Sequence, residues 1–133
     1  MADRHSGVLD TSAYIDLDSL HPGVLPDDPG LTTITLAELY HGVVAARDAT
    51  TRATRTAHVA AAIVDFDPLP FDYRASARYG SLVALTLAAG RDPRSRKLDL
   101  MIAAIASCHD LPLYTRNPKD FVGLEQLVEV VEV

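Results

Sequence analysis

Apolar and polar positions along the chain fall into two rhythms. Gly7-Val8-Leu9 is a short apolar run closed by Asp10-Thr11-Ser12, which predicts a buried strand passing into a helix over residues 12–20. His21-Pro22-Gly23 and Pro26-Asp27-Asp28-Pro29-Gly30 punctuate the chain as turns. Leu31-Thr32-Thr33-Ile34 reads as a second strand. Thr35 then opens a helix with apolar residues at Leu36, Leu39, Tyr40 and Val43, the spacing of one buried face. Residues 49–64 are alanine-rich and helical, and Phe66-Asp67-Pro68-Leu69-Pro70 breaks them, with room for a short strand. Residues 72–89 form another helix, ended by Gly90. Ser95 opens a further helix with Leu98, Met101, Ile102 and Ile105 on one face. Residues 111–114 are a strand, and residues 127–133 alternate as a closing strand.

Alternation of strands and helices from end to end predicts an α/β fold with a mostly parallel sheet and helices on both faces. No repeat, linker or shift in composition divides it, so residues 1–133 read as a single domain. In such sheets the ligand site lies outside the carboxyl ends of the strands.

Composition narrows the class. Hydrophobic residues make up 48% and charged residues 23% of the 133, a globular balance that excludes a disordered tail, a collagen repeat and a coiled coil. No window reaches the roughly 18 consecutive apolar residues of a membrane span. Met1-Ala2-Asp3-Arg4-His5 starts no secretory leader. The one cysteine, Cys108, forms no internal disulfide and anchors no CxxC site, so a reducing cytoplasm is expected.

The net charge is −6, which argues against a polyanionic partner until its distribution is considered. Residues 91–97 carry Arg91, Arg94, Arg96 and Lys97 against a single acid, Asp92, while acids dominate both ends of the chain. An acidic protein with one short basic segment and clustered carboxylates can still handle a polyanion when metal ions stand between carboxylate and phosphate.

Asp10 follows the first strand, Glu38 falls in the first turn of the helix opened by Thr35, and Asp99 falls in the first turn of the helix opened by Ser95. Asn117 follows the strand at 111–114, with Asp120 three residues later. In a parallel sheet these groups meet at one edge. Clustered carboxylates without a cationic partner repel one another, and Mg²⁺ or Mn²⁺, which prefer oxygen ligands, relieves that repulsion. Each residue also has a plain structural role open to it. Asp10 suits a helix N-cap, Thr35-Leu36-Ala37-Glu38 matches a capping box, Asp99 complements a helix dipole, and Asn117-Pro118 suits an N-cap followed by proline. His5, His21, His41, His58 and His109 lack metal-ligand spacing, and Cys108 reads as a small buried hydrophobe. No P-loop, GxGxxG or GxSxG pattern occurs.

The chain resembles PIN-domain ribonucleases of the VapC toxin type. The resemblance spans nearly the whole chain. It is carried by Gly7-Val8-Leu9-Asp10-Thr11-Ser12, by residues 35–43, by Lys97-Leu98-Asp99-Leu100 with the alanine-rich run after it, and by residues 111–121. It implies a three-layer α/β/α sandwich and a Mg²⁺- or Mn²⁺-dependent endoribonuclease. Asp10, Glu38 and Asp99 match the family's three acids as catalytic residues and metal ligands. Thr115 and Asn117 match its T-x-D/N element, with a neutral Asn in fourth place and Asp120 as a possible substitute. Thr11, Ser12 and Thr115 would orient ligand or water, and Arg94, Arg96 and Arg116, with Arg91 and Lys97, would hold the RNA backbone. The products would carry 5′-phosphate and 3′-hydroxyl ends.

The resemblance further implies a cytoplasmic toxin held by a VapB-like antitoxin, a homodimer, no membrane partner, and operator DNA met only through the antitoxin. Residues 53–63 and 79–87, with apolar stripes beyond core needs, are the expected contact surfaces. Two rival readings stay open at this point. One is a receiver-like phosphoacceptor domain, and the other is a non-catalytic PIN-like interaction module.

Overall fold

In the computed structural model, which describes residues 5–133, the chain builds one all-parallel sheet of four short strands. These are β1 (Ser6–Leu9), β2 (Asp28–Gly30), β3 (Leu113–Thr115) and β4 (Val130–Glu132), in the order β2-β1-β3-β4. Parallel neighbours cannot be joined by hairpins, so the connections carry the helices. These are α1 (Thr11–Ile15), α2 (Thr33–Ala45), α3 (Ala49–Asp65), α4 (Tyr73–Ala88) and α5 (Lys97–Cys108).

The side-chain period of two along the central strands sorts the core into two halves. Val8 and Leu113 point to a cluster with Leu82 of α4 and Leu100, Ile102, Ala103 and Ala106 of α5. Their neighbours Leu9 and Tyr114 point the other way, to Ala13 and Tyr14 of α1, Leu39 of α2 and Val59 and Ala62 of α3. Val8, Leu9 and Leu113 are all fully buried, so both faces of the sheet are covered and the fold is a three-layer α/β/α sandwich. Gly7 lets β1 lie against β3: a Cβ there would stand 2.8 Å from the Tyr114 ring carbon Cδ1. Among the described residues no helix is long and apolar enough to cross a membrane.

Several boundaries differ from the sequence reading. The second strand is not 31–34 but Asp28–Gly30, inside the stretch read as a turn. It is an edge strand, where Pro29 need donate no ladder hydrogen bond on its outer side. Thr32 instead makes an isolated bridge to Leu69 and caps α2 by accepting the Thr35 N–H at 3.2 Å. The helix therefore starts at Thr33, two residues before the expected Thr35. Glu38 lies in the second turn, and the proposed capping box does not exist. The first helix is short, ending at Ile15, with 3-10 turns at Leu17–Ser19 and Pro22–Val24 after it. Asp72 and Asp48 cap α4 and α3 by accepting the N–H groups of Ala75 and Thr51.

Candidate active site

Asp10 stands where β1 ends, beside Thr115, where the neighbouring β3 ends. It is only 4% exposed, and its carboxylate accepts three hydrogen bonds. Oδ1 takes the Ala13 N–H at 2.9 Å and the Ser12 hydroxyl at 2.7 Å, and Oδ2 takes the Thr115 hydroxyl at 2.5 Å. The first of these is the expected N-cap, so Asp10 does cap α1. The other two are more than a cap requires. Each hydroxyl that donates to Asp10 is itself fed by a backbone N–H: Arg116 to Ser12 at 3.1 Å and Asn117 to Thr115 at 2.9 Å. Such chains polarise their members and fix the carboxylate's orientation. Oδ2, with one donor, keeps a lone pair open.

Glu38 is tied to α1. The Thr11 hydroxyl donates to Oε1 at 2.7 Å, which leaves Thr35 as donor in the 3.0 Å contact between the Thr11 and Thr35 hydroxyls. Glu38 borders three recesses. One of about 540 Å³ lies between α2 and α3 and includes Thr11, Ile15, Leu39 and His58. One of about 340 Å³ runs along residues 94–99. The third, about 490 Å³, is lined by Ile34, Ala37, His41 and Leu98.

Asp99 lies in the first turn of α5, as expected, and is partly buried. Burial, followed by the like charges of Asp120, Asp10 and Glu38, pushes its carboxyl up to about 6, with Arg96 opposing. The structure thus brings Asp10, Glu38, Asp99 and Asp120 into one electrostatic neighbourhood. The basic segment is less available than its composition suggests. Arg91 donates to the Lys119 carbonyl at 2.8 Å, and Arg96 pairs with Asp120 at 3.3 Å. Arg94 pairs with Asp92 but is 85% exposed, and Arg116 pairs with Asp16 at 3.5 Å. Asn117 is exposed and precedes Pro118 as expected, but its side chain makes no capping bond. The sequence reading missed Thr35 and the Arg91 and Arg96 links; nothing in residue spacing alone announces them.

No family model matches the chain. A curated relative does: the chain is 38% identical to ribonuclease VapC5 of Mycobacterium tuberculosis over 133 residues, 96% of each protein. The chain belongs to the VapC ribonuclease family. Solved structures agree with this membership. The crystal structure of the toxin–antitoxin family member VapBC-5 from the same organism superposes with a TM-score of 0.86 at 37% identity, covering 97% of this chain and 99% of that one. FitAcB of Neisseria gonorrhoeae gives 0.71 at 27% identity, covering 93% and 95%. Membership throughout the length of the chain leaves the receiver-like reading without support.

The donor set is chemically that of a hard-cation site, since all four acids offer oxygen. Among the described residues, however, no three His, Cys, Asp or Glu side chains converge closely enough to hold an ion by themselves. The arrangement fits an ion of the Mg²⁺ kind, which keeps several waters and takes one or two carboxylates directly.

Proposed function

We propose that this chain is a Mg²⁺- or Mn²⁺-dependent endoribonuclease and the toxin of a toxin–antitoxin pair. The observation that carries the reading is Asp99, raised to about 6 by burial and by three other carboxylates, in a chain of the VapC ribonuclease family. A carboxylate held in such company gains most from a cation.

Asp10, through the open lone pair of Oδ2, and Asp99 would hold the ion, with Glu38 beside them. When bound, the ion lowers the pKa of a water and neutralises charge developing at the scissile phosphate. The chain's own residues do the rest. Ser12 and Thr115 fix the Asp10 carboxylate, so it need not reorganise when RNA arrives. Thr11 holds one oxygen of Glu38, Oε1, by its hydroxyl, and the other would serve ligand or water. Asp99 would meet the ion as a carboxylate, offering oxygen as its ligand atom. Exposed Arg94 and Lys97 meet the RNA backbone, with 5′-phosphate and 3′-hydroxyl ends as products.

The VapBC and FitAcB structures support a VapB-like protein partner, and the reading extends to a cytoplasmic homodimer. The test is cleavage of RNA with Mg²⁺, with Mn²⁺ and with EDTA, alongside expression in a bacterial host with and without the adjacent open reading frame. Metal-independent cleavage, or none, would refute the nuclease reading. Unimpaired growth on expression of the chain alone would refute the toxin role. An inactive but folded chain that still captures the antitoxin would establish the interaction-module alternative.

A further inference from the structure

Two recesses of opposite character meet at Glu38. The one along residues 94–99 is cationic, with Arg94, Arg96 and Lys97 in its wall. The other, about 490 Å³, is walled by Ile34, Ala37 and Leu98, together with His41. Glu38 and Leu98 border both, so cationic and apolar surface adjoin each other beside the acidic site.

The helix period explains the apolar wall. Ile34, Ala37, Glu38 and His41 stand at i, i+3, i+4 and i+7 of α2 and share one face. Leu98 comes from the first turn of α5, between Lys97 and Asp99. It is 48% exposed, while Leu100 and Ile102 of the same helix are buried in the core. Core packing therefore does not account for it. His41 is exposed, and its ring makes no hydrogen bond, ion pair or ring contact among the described residues. Other histidines are engaged: His5 pairs with Asp27, His21 accepts the Gly23 N–H, and His58 meets the Tyr14 ring edge-on.

We propose that the recess between α2 and the start of α5 is a base-binding subsite. It receives one unstacked nucleobase of single-stranded RNA beside the scissile phosphate, with Leu98 and Ile34 as apolar platform and His41 as the specificity-determining residue. The inference rests on the endoribonuclease reading given above. A nucleotide joins an anionic phosphate to a flat ring with apolar faces and a hydrogen-bonding edge. The two recesses offer matching parts side by side: Arg94 and Lys97 for phosphate, Leu98 for a base face, His41 for stacking and for the base edge. A neutral imidazole carries one donor and one acceptor, so it reads an edge as well as filling space. An apolar side chain of a protein partner would fill the recess but leave the cations beside it unmet.

The experiment compares a short single-stranded oligoribonucleotide with an abasic ribose-phosphate oligomer of the same length and charge. Binding to the full chain is read by fluorescence anisotropy, with Ca²⁺ in place of Mg²⁺. Wild type should bind the base-bearing oligomer about tenfold more tightly, the scale of one stacked base. His41→Ala and Leu98→Ala should each erase most of that excess and leave the salt slope unchanged, because no phosphate contact is lost. His41→Phe, which keeps a ring but no polar edge, should retain the excess. Cleavage of a random-sequence RNA with Mn²⁺ supplies the second readout. Wild type should favour one base beside the cut, His41→Phe should change that preference, and His41→Ala should flatten it while raising KM more than it lowers kcat. Equal affinity of wild type for both oligomers, or an unchanged excess and cut-site preference in His41→Ala and Leu98→Ala, overturns the proposal. A change of oligomeric state in Leu98→Ala by sedimentation, with the base excess intact, gives the face to a second copy and also overturns it. RNA cut with metal and an unchanged cut-site preference in these variants sinks this inference alone. No cleavage by wild type removes the endoribonuclease reading and this inference with it.

Discussion

Thr115 donates its hydroxyl to Asp10 at 2.5 Å across 105 positions of sequence. The two residues end adjacent parallel strands, and the bond is buried. Replacing Thr115 by Val keeps the shape, removes this donor and also strips the Asn117 N–H of its acceptor. A buried group left unsatisfied costs about 1–3 kcal/mol, so urea denaturation of Thr115→Val should show a loss of that size, largely restored by Thr115→Ser. An unchanged midpoint for Thr115→Val would mean that the bond contributes nothing.

Asp99 should trade stability for function. Its folded pKa, about 6, is raised from 3.8, so the neutral form suits the metal-free fold. The stability this gives is fully present below the unfolded pKa and is lost as pH rises through the folded one. In EDTA the chain should therefore weaken between about pH 4 and pH 6, by no more than about 3 kcal/mol and nearer half that for a group water still reaches. Asp99→Asn should be the more stable protein above pH 6, should lose the slope, and should not cleave RNA. A slope that survives the substitution assigns it to another group.

Glu38→Gln isolates chemistry from folding. Because α2 is capped by Thr32, Glu38 satisfies no helix terminus. Gln still accepts the Thr11 hydroxyl, so stability should stay within about 0.5 kcal/mol of wild type. Loss of one carboxylate charge should nevertheless lower RNA cleavage by about a hundredfold or more. Near-wild-type cleavage would remove Glu38 from the site.

Charge reversal in the basic segment must spare Arg96, which is engaged with Asp120. Arg94→Glu with Lys97→Glu changes two exposed side chains. RNA binding by this double variant should weaken, and the slope of log affinity against log salt should fall by about 1–2, since each lost phosphate contact removes about 0.7 for single strands. An unaltered slope would place both residues on a plain solvated surface.

The sequence made the parallel core and the order of the acids readable because apolar periodicity and strand-to-helix junctions are local signals. Val8 and Leu9, Leu113 and Tyr114 announce strands buried on both sides, and Asp99 falls on the helical turn expected. What stayed hidden depends on partners. Asp28–Gly30 looks like a turn because Pro and Gly dominate it, and becomes a strand only through β1. Thr32 and Thr35 are equally good caps on paper, and the bridge from Thr32 to Leu69 decides between them. Arg91 and Arg96 read as phosphate ligands until the carbonyls of Lys119 and Asp120 are placed next to them.

The acids and their supports are dispersed over the chain: Asp10 behind β1, Glu38 on α2, Asp99 on α5, Thr115 and Asp120 at and after β3. Pairing β1 with β3 joins segments more than a hundred residues apart, and contacts of that range close late in folding. A ribosome making this protein consequently holds a disarmed chain for most of its synthesis. The segment at 113–121 must emerge and dock beside β1 before the Asp10 carboxylate acquires its Thr115 donor. A VapC-type protein built this way can be threaded out among cellular RNAs as a harmless polypeptide, its hazard arising only when the last strands close the sheet.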